Sequence, residues 1–271
     1  MKTLFQSARI KQNLRYLLGD RITSWIHAFR FYRRCIQHKK VEPELTLIPY
    51  LVKEGDTVID IGANNAGWTN ALAKQVGSTG HVYAFEADPY YAEVTRKTIS
   101  LLRLKNVTLF PFGLSDKKED VRLLIRDQSN SRVSGTGRVL NDATNVISED
   151  YTVHVRMERL DDMAIRFPAI YSASLIKCDV EGFELMVMRG SENILSKTNP
   201  IVIVEFGHAY LHGYSDEDLL NFFWERNYQC YKFEIDNKTL YPVSELSDIV
   251  NRSSPNLLFS VQPLELTYSL I

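Results

Sequence analysis

The chain has 271 residues, a formal net charge of −1, 45% hydrophobic residues and 24% charged residues. That balance excludes a disordered chain, which carries fewer apolar residues and more net charge; 13 Gly, 9 Pro and 3 Cys exclude a collagen-like or disulfide-dense one. The near-zero total hides an asymmetry: residues 1–40 hold ten Lys/Arg against the single acid Asp20 (+9), and the remainder holds 22 basic and 32 acidic residues (−10).

The basic segment reads as a helix. Ile22, Trp25, Ile26, Phe29, Tyr32 and Ile36 recur at three- and four-residue steps and form one apolar stripe, with Arg21, Arg30, Arg33 and Arg34 off it. Such a stripe is expected to pack on the main domain. The alternative is a helix lying on an anionic membrane surface or a polyanionic partner. The start of the chain lacks the apolar centre of a secretory signal, and no apolar run reaches the length of a membrane span. Cys35, Cys178 and Cys230 are widely spaced and form no C-x-x-C pair, which suits a reducing cytoplasm. Val41–Glu54, with Pro43 and Pro49, is expected to dock the arm to the main domain.

From Thr57 strands and helices alternate. Thr57–Ile61 is a strand that stops at a Gly/Asn cluster, and helix Trp68–Gln75 follows. His81–Ala87 and Pro89–Arg103 make the next pair, and Val107–Leu114 the third strand. Ser174–Val180 is the fourth strand, followed by helix Glu184–Leu195; Ile201–Phe206 is the fifth, followed by helix Asp216–Arg226. Continuous β-branched runs joined by helices predict a parallel sheet covered on both faces, and right-handed crossovers make it a doubly wound, Rossmann-like α/β domain. Tyr228–Glu234 and Asn256–Gln262 have no strong helix between them, so a terminal antiparallel strand is expected, for seven in all. The long span from Asp116 to Ala173 contains strand-like Val121–Arg126 and Tyr151–Met157. The polar Ser129–Gly137 between them is either a surface hairpin or a lid over the cleft. The expected organisation is thus an arm at 1–54 and a Rossmann-like domain at 55–271 with an inserted hairpin or lid at 116–173.

Ligands of such sheets bind beyond the carboxyl ends of the strands. The first strand ends Asp60-Ile61-Gly62-Ala63-Asn64, and Gly62 permits a tight turn with close backbone approach. Glu86 ends the second strand, 24 residues after Gly62, where a carboxylate grips ribose hydroxyls. Gly113-Leu114-Ser115-Asp116 can flank an adenine. The loop reads G-x-N-x-x-G, with Asn64 in place of the glycine that lets backbone approach a pyrophosphate. That favours S-adenosylmethionine over NAD.

The chain resembles the FkbM-type S-adenosylmethionine-dependent methyltransferases over roughly Thr57–Phe206. The resemblance is carried by Val58–Thr69 (VIDIGANNAGWT), Ala84-Phe85-Glu86, Asn106–Asp116, Leu160-Asp161-Asp162 and, most specifically, Leu175–Gly190 (LIKCDVEGFELMVMRG). The family places Gly two residues after the loop Asn; here Ala66 stands there and Gly67 comes next. The resemblance implies a class I methyltransferase fold. It implies that Asp60, Gly62 and Asn64 meet the methionine half of the cofactor, that Glu86 takes the ribose, and that Leu114 and Ser115 border the adenine. It also implies O-methylation of sugar or natural-product hydroxyls.

The candidate bases are Asp179 and Glu181 after the fourth strand and Glu205 and His208 at the end of the fifth. Glu205 is expected to orient His208, or Asp179 and Glu205 to share a divalent cation such as Mg²⁺ that lowers the acceptor's pKa. Lys177 shares a strand face with Asp179 and is expected to pair with it. The expected partner is a small-molecule or glycan acceptor, not nucleic acid, with peripheral membrane contact or a second copy of the chain as further roles for residues 1–40. Two other classes compete: a nicotinamide-dependent oxidoreductase, and an RNA-binding or RNA-modifying protein using the basic arm.

Overall fold

A computed structural model describes residues 2–37, 42–125, 138–140, 151–249 and 254–264, with backbone alone at 2–18 and 138. The hairpin or lid expected at 129–137 lies outside the described residues.

The arm is helix α1 (Lys2–Gln37), bent at Gly19, whose φ of 67° and ψ of 166° are not helical. It is followed by a 3-10 turn, Pro43–Leu47, and a short helix α2 (Ile48–Leu51). The alternation then begins: β1 (Thr57–Ile61), α3 (Gly67–Val76), β2 (His81–Phe85), α4 (Pro89–Leu102) and β3 (Val107–Phe110). Asp88 caps α4 by accepting from the Tyr90 N–H at 2.8 Å, and Pro89 occupies the first turn, where its missing donor costs nothing.

The third strand is shorter than expected. It stops before Pro111, and Gly113–Leu114 becomes β4 of a second, four-stranded sheet. That sheet holds β5 (Glu119–Leu124), β6 (Arg138–Val139) and β7 (Thr152–Glu158), with β5 antiparallel to both β6 and β7.

The chain returns through α5 (Leu160–Arg166) to β8 (Ala173–Cys178), α6 (Glu184–Arg189), α7 (Glu192–Thr198), β9 (Ile201–Glu205) and α8 (Asp216–Trp224). The single helix expected over 184–195 is two, parted at Gly190-Ser191. The end is β10 (Gln229–Glu234), β11 (Thr239–Val243) and β12 (Asn256–Ser260).

The large sheet runs β11-β10-β12-β9-β8-β1-β2-β3, eight strands rather than seven. The addition is β11, whose Pro242 hides it as a strand in sequence; proline is tolerated because β11 is an edge. Strands β3, β2, β1, β8 and β9 are parallel, while β12 is antiparallel to its neighbours β9 and β10. Successive residues of β1 feed opposite faces: Val58 joins Leu72, Val82 and Leu175 on one side, and Ile59 joins Phe85, Met163 and Ile176 on the other. Leu47, Ile48 and Leu51 belong to the first of these clusters, so the segment after the arm is part of the core.

The arm docks by a different face from the one expected. Ser24 and Ala28 are fully buried, whereas Ile22, Trp25, Phe29 and Ile36 remain 49%, 48%, 52% and 52% exposed. Lys97 of α4 explains this: its Nζ donates to Ser24 Oγ at 2.7 Å and to the Arg21 carbonyl at 3.1 Å. Small residues let the two helices approach closely enough for those bonds, and bulky ones would hold them apart.

Ala28→Leu is therefore expected to lift α1 from α4 and cost about 1–3 kcal/mol. Limited proteolysis would show faster cleavage within 20–37 while 55–125 and 151–249 stay resistant.

Candidate active site

Strand order reverses between β1 and β8, because the chain builds β1-β2-β3 to one side and then crosses to β8 and β9 on the other. Beyond the carboxyl ends of these strands lies a cavity of about 350 Å³, within the usual range for small-molecule sites. Register aligns its parts: Ile61 pairs with both Phe85 and Cys178, and Cys178 pairs with Val204. The next residues on, Gly62, Glu86, Asp179 and Glu205, all line the cavity.

The loop after β1 is folded against the loop after β8. Gly62 has a φ of +84°, and a Cβ placed on it would lie 1.9 Å from the Asp179 carbonyl oxygen, so no side chain fits. Ala66 takes a φ of +72° despite its Cβ, at the position where the family pattern has glycine. Glu86 secures this loop from β2: its Oε2 accepts from the Asn64 N–H at 2.7 Å and its Oε1 from the Asp88 N–H at 2.9 Å. Burial raises the Glu86 carboxyl to about 7, against the pull of those two donors.

Seven of the ten residues picked from sequence line the cavity: Gly62, Asn64, Glu86, Leu114, Asp179, Glu181 and Glu205. The other three stand behind it. Asp60 is buried and accepts from Thr69 Oγ1 at 2.5 Å, which ties β1 to α3; burial raises it to about 6. Ser115 is fully buried and donates to Asp116 and Glu119, at 3.1 and 3.2 Å. His208 sits beyond the carboxylates, with Nδ1 3.5 Å from Glu205 Oε2 and 3.7 Å from Glu181 Oε2.

The acid cluster is held apart from water unequally. Burial, then Asp179 and Glu181, push the Glu205 carboxyl well above the carboxylate range. Glu181 is raised to about 7, first by burial and then by Asp179. Asp179 has the buried Lys177 Nζ 3.3 Å from its Oδ2, the pairing expected from their shared strand face. Lys177 also donates to Asn256 Oδ1 at 2.9 Å, and Asn256 Nδ2 donates to the buried Glu44 at 3.0 Å. Among the described residues, the set able to offer metal ligands is Glu181, Glu205 and His208, with ligand atoms within 4.8 Å of one another. Asp179, expected to share a cation with Glu205, is not in it.

Three contributors were not singled out in the sequence. Glu184 is buried, and its Oε1 accepts from the Val180 N–H at 2.9 Å and the Gly182 N–H at 3.1 Å, holding the loop that carries Asp179 and Glu181. Tyr214 donates to the Gly182 carbonyl at 2.6 Å from the far side. Glu42 lines the cavity and accepts from Trp68 Nε1 at 2.6 Å. Of these only Glu184 had a local signal, its place in the Asp-Val-Glu-Gly-Phe-Glu run; the other two reach the site through tertiary packing alone.

A profile of the FkbM methyltransferase domain matches residues 60–230. A curated protein described as a probable cobalt-precorrin-6B C(15)-methyltransferase (decarboxylating) from Sulfolobus acidocaldarius is 27% identical over 156 residues, which are 55% of this chain and 79% of that protein. A crystal structure of a methyltransferase FkbM from Methylobacillus flagellatus KT is 15% identical with a TM-score of 0.49, covering 81% of this chain but 48% of the other, so the present chain spans about half its length. A SAM-dependent O-methyltransferase from Thermotoga maritima is also 15% identical, with a TM-score of 0.46 over 87% of this chain and 72% of that one.

Three buried carboxyls, Asp60, Glu86 and Glu184, have values raised to about 6, 7 and 7. An acid raised on folding stabilises the protein at low pH, and that contribution is lost as pH climbs through the folded value. The ligand-free protein should therefore melt at falling temperature as pH rises from the ordinary carboxylate range through about 7. Glu184→Gln keeps an acceptor for both loop donors and removes one titration. Thermal scans should show a smaller loss of Tm over that interval in the variant; an unchanged slope would remove Glu184 from the account.

Proposed function

The chain belongs to the FkbM methyltransferase family, and from that premise we propose that it is an S-adenosylmethionine-dependent O-methyltransferase acting on a hydroxyl of a sugar or natural product. The observation that carries the reading is the convergence of Asp179, Glu181 and Glu205 on the wall of the cavity bordered by the Gly62–Asn64 loop and Glu86.

The cavity suits the cofactor in two respects. Asn64 lines it, and its Oδ1 is buried without a hydrogen-bond partner among the described residues, leaving an acceptor for a ligand. Its acids also suit a cation. Glu86 would accept from the ribose hydroxyls with its remaining lone pairs, and Leu114 would border the adenine. Asp60 and Ser115 act at one remove, by anchoring α3 and the adenine-side loop. S-adenosylmethionine supplies a methyl on a cationic sulfonium, open to in-line attack. The residues' main task is orientation, which alone contributes about 7–11 kcal/mol to such reactions.

Glu205 is the proposed base. It lies on the cavity wall, and because burial and its acidic neighbours hold its proton, it serves as base once ionised, so turnover should climb with pH. His208, 40% exposed and beside Glu205, passes the proton to water. Asp179, on the cavity wall and paired with Lys177, would face the cationic end of the cofactor. A divalent cation on Glu181, Glu205 and His208 would serve the same end by acidifying the acceptor hydroxyl. Turnover lost with EDTA and restored by Mg²⁺ would assign that task to a cation; EDTA-insensitive turnover would assign it to Glu205.

Glu205→Gln is expected to lower kcat by about 10²–10⁴-fold while leaving cofactor affinity within a few-fold; full activity would exclude it as base. Glu86→Ala should instead cripple cofactor binding, and wild-type affinity in that variant would remove Glu86 from the ribose site. A cation favours ionised carboxyls, so S-adenosylmethionine should bind more tightly as pH rises through about 7, where Glu86 and Glu181 titrate. The uncharged thioether of S-adenosylhomocysteine should show a shallower rise by calorimetry. Equal slopes would mean that the acids do not sense the sulfonium.

A further inference from the structure

The arm leaves four bulky apolar side chains half exposed. From Asp20 onward, α1 rests on α4 through Ser24, Ala28 and His27, whose Nδ1 lies 3.0 Å from the Tyr90 hydroxyl. At roughly 3.6 residues per turn, Ile22, Trp25, Phe29 and Ile36 fall within an arc of about 60°; its edge at Trp25 still meets α4, with Lys97 Nζ 5.0 Å from the ring centre, and the rest faces away. All four are about half exposed. Arg21 and Arg30 are exposed on either flank of this ridge, and exposed Arg33 lies beside it. The other exposed large apolar side chains, including Tyr50, Ile165, Tyr210 and Leu246, sit on separate elements and form no comparable row.

We propose that this face of α1 is an interfacial helix that docks the protein onto an anionic phospholipid bilayer. The pattern is an apolar ridge carrying Trp and Phe, with arginines on both sides, on a segment whose residues 1–40 total +9. No helix among the described residues is long and apolar enough to cross a membrane, so the helix lies in the plane of the interface. The ridge is convex, and its charges and apolar atoms address one plane. A bilayer offers both partners in that plane: anionic headgroups for the arginines and acyl chains beneath for the ridge. A second copy pairing ridge on ridge would bring the arginines of both arms together, and their like charge opposes it.

Docking by this face also places the cavity. Tyr91, next to the arm's partner Tyr90, lines it, and so does Gly67, against which the Phe31 ring packs. The arm therefore runs along the cavity wall, and docking by its outer face leaves that wall about one helix diameter, ~10 Å, from the headgroup layer.

The test is co-sedimentation of the 271-residue chain with two kinds of vesicle, phosphatidylcholine alone and phosphatidylcholine with one third phosphatidylglycerol. Binding should be about tenfold tighter or more to the anionic vesicles and should weaken as salt rises. The double variant F29E/I36E changes exposed positions outside the cofactor cavity. It should keep the far-UV spectrum and cofactor affinity while losing about tenfold or more in vesicle binding. Absence of binding to the anionic vesicles overturns the proposal. So does full binding by the double variant, which would mean that charge alone attracts the arm. A concentration-dependent dimer that the double variant abolishes, without vesicle binding in either protein, assigns the ridge to a second copy and overturns it as well.

Discussion

Backbone lies directly on backbone where the loops after β1, β8 and β9 meet, and the site depends on that contact. Gly62 abuts the Asp179 carbonyl, and Gly182, with a φ of +94°, abuts the His208 carbonyl at 2.4 Å from where a Cβ would stand. A side chain at either position would push the loops apart. The contacts would also be untenable if the loops' polar groups were left bare, since a buried unpaired donor costs about 1–3 kcal/mol. Glu184 takes two of the donors, Tyr214 donates to the Gly182 carbonyl, and Glu86 holds the Asn64 N–H. Carboxylates thus have two occupations here. Some shape the loops from behind, and others, on the same loops, face the cavity.

That doubling explains the density of buried charge. Lys177 would be driven toward neutrality by its burial, but Asp179 and the neighbouring acids outweigh that and raise its pKa. Its second partner, Asn256, belongs to β12, and Asn256 in turn holds Glu44 from the segment after the arm. One ammonium thus connects the centre of the sheet, its last strand and the entry from α1. Removing a member of such a network leaves the rest buried and unpaired, which is costlier than the pair is worth.

The strands were legible because each is an apolar run that stops at a glycine or a carboxylate: Thr57–Ile61 falls as expected, and His81–Phe85 and Ile201–Glu205 lie within the expected His81–Ala87 and Ile201–Phe206. The loop residues were legible for the same reason, since the end of a parallel strand is where ligand-facing residues sit. Other features were set by tertiary packing. Pro242 masks β11, which survives only at an edge, and Pro111 ends β3 early so that Gly113–Leu114 can pair with β7. The arm shows the limit of periodicity most clearly. Its apolar stripe is there as read, but Lys97, more than 70 residues away, selects the small polar face for docking. Tyr214 and Glu42 likewise reach the loops from distant segments, and no local spacing marks them.

The cavity has two kinds of wall. On the side of β1, β8 and β9 it carries Asn64, Asp179, Glu181 and Glu205 on loops whose path is fixed where Gly62 and Gly182 meet neighbouring backbone. On the side of the small sheet its outline is drawn by Leu123, Val139 and Met157, ordinary side chains on short strands. Changes of size and polarity there leave the loop contacts untouched. A fold divided in this way can keep one chemistry while exchanging what it acts on, so divergence among its descendants should accumulate on the small sheet and leave the glycine seam as it is.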